Sequence, residues 1–381
     1  MQIIESCYIC TTPFQIITAT VMACEKKEVA DVYIVPQFIG ADNYCNRLKK
    51  LNVFRKVVLV DSDQFEKYKR FKNGFFRAAG IVVNYIRINK VVRSILLKDT
   101  LYDNIYISSK ANIGRLICLY HLKHRPKTII SYFDDGEGSY NNERLYTPKT
   151  GDYIIRRVIF GKRSIDLSKT IYLYSPELFK TIHTQSGMII KKIKTWHNDS
   201  EMLSKINTLC DYDEKKGIEE DVIFLDTLAE DVFNKDYVSK YYRIQDQIND
   251  LFRGNIVYKK HPRDNKKSDP DKRIYCYDSI PFEVICANCD MSKKIIITTS
   301  STAVATPKIL FDAEPVIVMM FNFVHWKNKD TGDKEKYYSA LMRVYNDKNK
   351  FYSPHNKKEF FKCLTELKNR IINYTEDTNE Q

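Results

Sequence analysis

The stretch Tyr258-Lys259-Lys260-His261-Pro262-Arg263 closes a short β-branched run, Ile256-Val257-Tyr258. An apolar run that stops at a charged, proline-containing turn reads as a strand followed by its carboxyl-end loop. Pro262 restricts His261 to an extended backbone, so the imidazole has a fixed starting point. Ligands of open α/β sheets bind beyond the carboxyl ends of the strands. The stretch therefore points to an α/β sheet and to a ligand site together. An imidazole placed there can hydrogen-bond or protonate a bound phosphate, with Lys259, Lys260 and Arg263 beside it to hold negative charge.

Two other stretches share this design. Thr128-Ile129-Ile130-Ser131-Tyr132-Phe133 runs into Asp134-Asp135-Gly136-Glu137-Gly138-Ser139, and Lys294-Ile295-Ile296-Ile297 runs into Thr298-Thr299-Ser300-Ser301-Thr302. A carboxylate beside a second one has its pKa raised, which makes a base usable near neutral pH. Gly136 and Gly138 allow close approach of backbone or sugar. Ser300, Ser301 and Thr302 precede a helix expected from Ala303 to Phe311. Its first turn has free amide donors for a phosphate, although Ser and Thr also cap helices without any ligand. Glu283 opens a further helix and can accept from ribose hydroxyls.

Outward from these stretches the pattern alternates. Toward the start, the strand Cys7–Cys10 leads through Thr11-Thr12-Pro13-Phe14-Gln15 into a helix from Ile16 to Lys26, with Thr as cap and Pro in the first turn. Strands follow at Val32–Val35, Val57–Val60, Ile105–Ile107 and Ile171–Tyr174, with a helix at Asn112–Leu122. A polar stretch near 196–220 reads as a linker holding one helix. A second series then begins, with strands at Val222–Leu225, Ile256–Tyr258, Ile295–Ile297 and Val316–Val318. Helices are expected at Val238–Phe252 and Glu283–Cys289, and an amphipathic one at Lys357–Tyr374. Strands alternating with helices define a doubly wound α/β fold. At 381 residues the chain exceeds one core. The expected organisation is an N-terminal Rossmann-like domain over 1–195, a linker over 196–220, a C-terminal nucleotide-binding Rossmann-like domain over 221–355, and a closing helix and tail over 356–381. The two halves are expected to face a central cleft.

The net charge of +13 favours anionic partners: nucleotides, phosphates, anionic membrane surfaces or nucleic acid. The segment from Lys67 to Lys98 interleaves basic and aromatic residues at helical spacing. It reads either as a surface for an acidic membrane or as solvated helix faces with snorkelling lysines. No helix-turn-helix, RNA-binding aromatic signature or zinc finger supports the nucleic-acid reading. No apolar stretch approaches the roughly 20 residues of a membrane span, and the first residues lack a signal-peptide pattern. The expected location is cytoplasmic, including the inner face of the cell membrane. The ten cysteines are unevenly spaced and read as reduced thiols rather than zinc ligands.

Taken in order, Thr-Pro-Phe-Gln after the first strand, Asp-Asp-Gly, then His-Pro, Pro-x-Glu and Ser-Ser, the chain resembles the bacterial sialyltransferases of glycosyltransferase family 52. These build lipooligosaccharide and capsule caps, and related arrangements occur in families 80 and 38. The resemblance runs over most of the chain. It implies a GT-B fold, CMP-sialic acid as donor, a galactose-terminated glycan as acceptor joined in an alpha-2,3 linkage, inversion at the anomeric carbon, and no metal or other cofactor. It makes Asp134 or Asp135 the base and His261 the acid on the CMP phosphate. It places Ser300 and Ser301 on that phosphate, with Lys260, Pro262 and Thr302 around it, and Glu283 on the ribose. Thr12, Pro13, Gln15 and Gly136 would border the sugar. Some family members are assigned a carboxylate shortly before the His-Pro turn, and Asp226, Glu230 or Asp231 could take that part here. A hexosyltransferase using another nucleotide sugar is the first rival reading, and a basic nucleic-acid-binding protein the second. A homodimer is allowed by the sequence.

Overall fold

The computed structural model of the chain describes residues 5–60, 88–96, 100–108, 112–141, 157, 167–261, 264, 274–277, 279–327 and 332–379. Pro262, Arg263 and most of the basic stretch Lys67–Lys98 lie outside the described residues. Two compact units emerge. One comprises Met1–Trp196 with Ser204–Leu209, and the other His197–Leu203 with Cys210–Gln381.

The first unit holds a seven-stranded sheet. Its strands are β1 (Glu5–Cys10), β2 (Val29–Ile34), β3 (Lys56–Leu59), β4 (Asn104–Ile107), β5 (Ile129–Phe133), β6 (Thr170–Leu173) and β7 (Ile189–Lys192). They lie side by side in the order β3-β2-β1-β4-β5-β6-β7, every neighbouring pair parallel. The strand order reverses between β1 and β4, as in a doubly wound fold. β1 is buried almost throughout because helices cover both faces of such a sheet. The helix Pro13–Lys26 follows β1 directly, with Pro13 in its first turn and Thr12 as cap, accepting from the Gln15 amide at 3.3 Å.

The second unit holds a six-stranded sheet of β8 (Val222–Leu225), β9 (Ile256–Lys259), β10 (Ile274–Tyr275), β11 (Ile295–Thr298), β12 (Val316–Met319) and β13 (Phe351–Tyr352). The order is β10-β9-β8-β11-β12-β13, again wholly parallel. Its reversal falls between β8 and β11. Those two strands and β9 are buried at every position, as their unbroken β-branched and aromatic runs require of central parallel strands. On one face Phe224, Tyr258 and Ile297 pack with Tyr241, Ile244 and Ile248 of the helix Lys235–Leu251. Phe360, Leu364 and Leu367 of the C-terminal helix Lys357–Asn379 join the same core, so this helix is built into the second unit.

The α/β class with two doubly wound, Rossmann-like units is thus present in both halves. All ten cysteines stand outside disulfides. Cys7 and Cys10 are buried in β1, and burial pushes both thiols up. No helix among the described residues is long and apolar enough to cross a membrane.

Candidate active site

Register decides what meets at the carboxyl end of the second sheet. Leu225 at the end of β8 lies opposite Lys259 of β9 on one side and Thr298 of β11 on the other. The next residues, Asp226, Lys260 and Thr299, therefore leave the sheet side by side at the reversal point. The Asp226 amide continues the ladder by donating to the Lys259 carbonyl at 2.9 Å, and Thr298 Oγ1 donates to the Leu225 carbonyl at 3.1 Å.

Asp226 is held asymmetrically. Its Oδ1 accepts from Tyr241 Oη at 2.6 Å, from Gln245 Nε2 at 2.9 Å and from the Thr227 amide at 2.8 Å. Among the described residues no donor reaches Oδ2. Tyr241 and Gln245 stand one helical turn apart on Lys235–Leu251 and are both fully buried. They stand among the buried residues Tyr237, Ile244 and Ile248 of the same helix, and Gln245 Nε2 also donates to Tyr241 Oη at 3.0 Å. Burial pushes the Asp226 carboxyl up, aided by the nearby Asp264 carboxylate and opposed by the three donors. A carboxylate with one oxygen fixed and the other open is suited to accept a proton.

The loop after β11 contributes hydroxyls. The Ser301 amide donates to Thr298 Oγ1 at 3.0 Å, which fixes the turn. The expected helix begins as a 3₁₀ turn over Thr302–Ala305 and continues as Thr306–Phe311. Ser301 occupies the cap position without making a side-chain cap hydrogen bond. Simple capping therefore does not account for its hydroxyl. Ser300 is buried and accepts from Lys334 Nζ at 3.3 Å. His261 follows β9, its carbonyl accepting from the Asp264 amide at 2.8 Å. Lys259 and Lys260 are buried, and Lys259 Nζ donates to the Tyr277 carbonyl at 3.0 Å. Glu283 sits in the first turn of the helix Phe282–Asn288. Burial raises its pKa, and the charge of Lys259 opposes that rise.

At the end of β5 in the first unit, the two aspartates part company. Asp134 is only 1 % exposed. Its Oδ2 accepts from Tyr140 Oη at 2.5 Å and from the Tyr174 amide at 3.2 Å, and its Oδ1 from the Gly136 amide at 2.9 Å. Burial pushes its pKa up to about 7 in spite of these donors. It ties the end of β5 to the end of β6, and Gly136 reaches its own bond at a φ of +91° that disfavours any side chain. Asp135 is half-buried and accepts from Ser139 Oγ at 2.7 Å. Gln15, expected at the sugar, is turned inward. Its Oε1 accepts from the Thr11 amide at 2.6 Å and from Thr11 Oγ1 at 3.0 Å, which leaves Thr12 and Pro13 as the outward part of that loop. Asp231 is exposed on the short helix Ala229–Val232.

The helix pattern around Tyr241 and Gln245 was legible, but their hold on Asp226 was not. The available signal was two hydrogen-bonding residues, four apart, on the core face of an amphipathic helix. Lys334 carried no such signal.

No family model matches the chain, and no curated protein matches it. Among solved structures it is similar to a UDP-GlcNAc 2-epimerase of Methanocaldococcus jannaschii in complex with UDP-GlcNAc and UDP. The identity is 16%, over 97% of this chain and 100% of that chain, with a TM-score of 0.47. It is also similar to a UDP-glucosyltransferase from Polygonum tinctorium capable of glucosylating indoxyl, at 6% identity over 97% of this chain and 94% of that chain, with a TM-score of 0.45.

Proposed function

We propose that the chain is an inverting glycosyltransferase of the GT-B type that uses a nucleotide-sugar donor, and that the donor is CMP-sialic acid and the acceptor a galactose-terminated glycan. The observation that carries this reading is Asp226, with its Oδ1 held by three donors and its Oδ2 open, at the reversal point of a Rossmann-like sheet. Ser300, Ser301 and His261 leave neighbouring strands at the same end. The order of short motifs along the chain supports the choice of donor.

In this mechanism the nucleotide binds at the carboxyl end of the second sheet, with Glu283 toward the ribose. The acceptor hydroxyl oxygen attacks the anomeric carbon, and its proton passes to Asp226 Oδ2. The bond from that carbon to the phosphate oxygen breaks, and the electron pair stays on the phosphate. His261 and the serine hydroxyls stabilise that departing charge. Fixed donors aimed at a developing charge, together with positioning, supply most of the acceleration.

Thermal stabilisation by CMP, set against UMP, UDP and GDP, tests the donor class. Selective stabilisation by CMP that persists in EDTA is expected. Stabilisation by UDP alone would instead support the hexosyltransferase reading, and no response to any nucleotide would sink both. A second expectation concerns the acid. His261→Ala should lower turnover at saturating donor by roughly 100-fold, while near-normal turnover would remove His261 from the reaction.

A further inference from the structure

The helix Gly332–Val344 is the next element after β12 in the chain, and its first turn reaches the loop after β11. Lys334 Nζ donates to Ser300 Oγ at 3.3 Å and lies 5.8 Å from the centroid of the Trp326 ring. Trp326 is itself anchored. Its indole N–H donates to the Phe321 carbonyl at 3.2 Å, and its backbone forms an antiparallel bridge with Phe233. The Asn234 side-chain amide adds a bond to the Trp326 carbonyl at 3.3 Å. The loops after β8 and β12 are thereby tied together, and Lys334 spans from them to the β11 loop.

The direction of the Lys334–Ser300 bond matters. A serine hydroxyl has one donor hydrogen and two acceptor lone pairs. An ammonium group has donors only, so it must occupy a lone pair of Ser300. The Ser300 hydrogen is then directed away from the lysine, and the hydroxyl is polarised by the adjacent charge. Ser300 is only 4 % exposed, so few orientations are open to it. Beside it, Ser301 has a hydroxyl that caps nothing. Two hydroxyl donors on the loop after β11, with the Lys334 cation reaching them from the helix Gly332–Val344, form a receptor for a tetrahedral oxyanion.

We propose that Lys334 is the cation that holds the nucleotide's phosphate at Ser300 and takes up the charge left there when the sugar departs. This rests on the reading of the sheet end as a nucleotide site. Lys334 transfers no proton. It remains an ammonium while the bond between the anomeric carbon and the phosphate oxygen breaks, and the electron pair on that oxygen is met by its charge. Through Ser300 it also sets the direction of the hydroxyl donor.

Calorimetric titration of the full chain tests this, using CMP and UDP as phosphate-bearing probes and cytidine and uridine as their phosphate-free counterparts at millimolar concentration. For whichever nucleotide the wild type binds, Lys334→Gln should weaken binding about 10-fold or more, the size of a lost charge-assisted contact. Binding of the matching nucleoside should stay within about 2-fold. Lys334→Arg should restore most of the nucleotide affinity. A Gln variant that binds the nucleotide as tightly as wild type overturns the proposal, as does equal loss for nucleotide and nucleoside. Failure of the underlying site reading would look different, because wild-type protein would then bind neither CMP nor UDP. The unliganded melting temperature of each variant reports folding separately, and the Arg variant keeps the comparison intact where Gln perturbs the loop.

Discussion

Asp226→Asn is expected to reduce turnover by about 100- to 10,000-fold, the range for removal of a general base. It should leave stabilisation by nucleotide unchanged. The substitution is nearly isosteric. The amide oxygen of asparagine can replace Oδ1 and keep the bonds from Tyr241, Gln245 and Thr227. The amide nitrogen then replaces Oδ2 and cannot accept a proton. Fold and donor binding are preserved while the basic group is removed. Measured kcat within a few-fold of wild type would rule Asp226 out. Loss of turnover in Asp135→Asn under the same conditions would move the base to the first unit.

The second large effect is on stability. Asp134→Ala is expected to destabilise the first unit by about 3 kcal/mol, because burying unpaired donors costs roughly 1–3 kcal/mol each. The substitution strands the Gly136 and Tyr174 amides and frees the Tyr140 hydroxyl in a buried setting. The loss should depend on pH. Burial holds the folded pKa of Asp134 at about 7, above the ordinary aspartate value of about 3.9. The folded state thus binds this proton more tightly than the unfolded chain. Its contribution is full below about pH 4 and declines as the pH rises to about 7. The gap between wild type and variant in a chemical denaturation series should narrow over that window. A variant with wild-type stability at pH 5 would refute the structural role.

These two carboxylates show what the sequence could and could not convey. Asp134 and Asp226 look alike along the chain, each following an apolar run at a strand end. Their difference lies in what packs against them. Tyr140 and the Tyr174 amide close over Asp134, whereas Asp226 is gripped on one oxygen from a helix that begins nine positions later. Local pattern places a side chain at a strand end but does not say which of its atoms face inward. The central strands were legible because parallel strands buried on both faces need unbroken apolar runs. Of the edge strands, β3 was legible and the other three were not. β7 carries two lysines with Ile189 57 % exposed, and β10 and β13 span two residues each. Lys334 was invisible for a different reason. It stands 34 residues from Ser300, and only the turn of its helix brings them together.

The strands on either side of the second reversal point have a consequence for folding. Thr298 and Leu225 are hydrogen-bonded neighbours although 73 residues separate them along the chain. Contacts of such long sequence separation form slowly, because the intervening chain must be ordered before they reward it. Asp226 and the serine loop therefore come into register only when β9, its flanking helices and β11 have docked. A partly folded second unit has the hydroxyls and the carboxylate but not their juxtaposition. Recovery of nucleotide response during refolding will follow the slowest step of that unit, and the ligand stabilises only the fully assembled sheet.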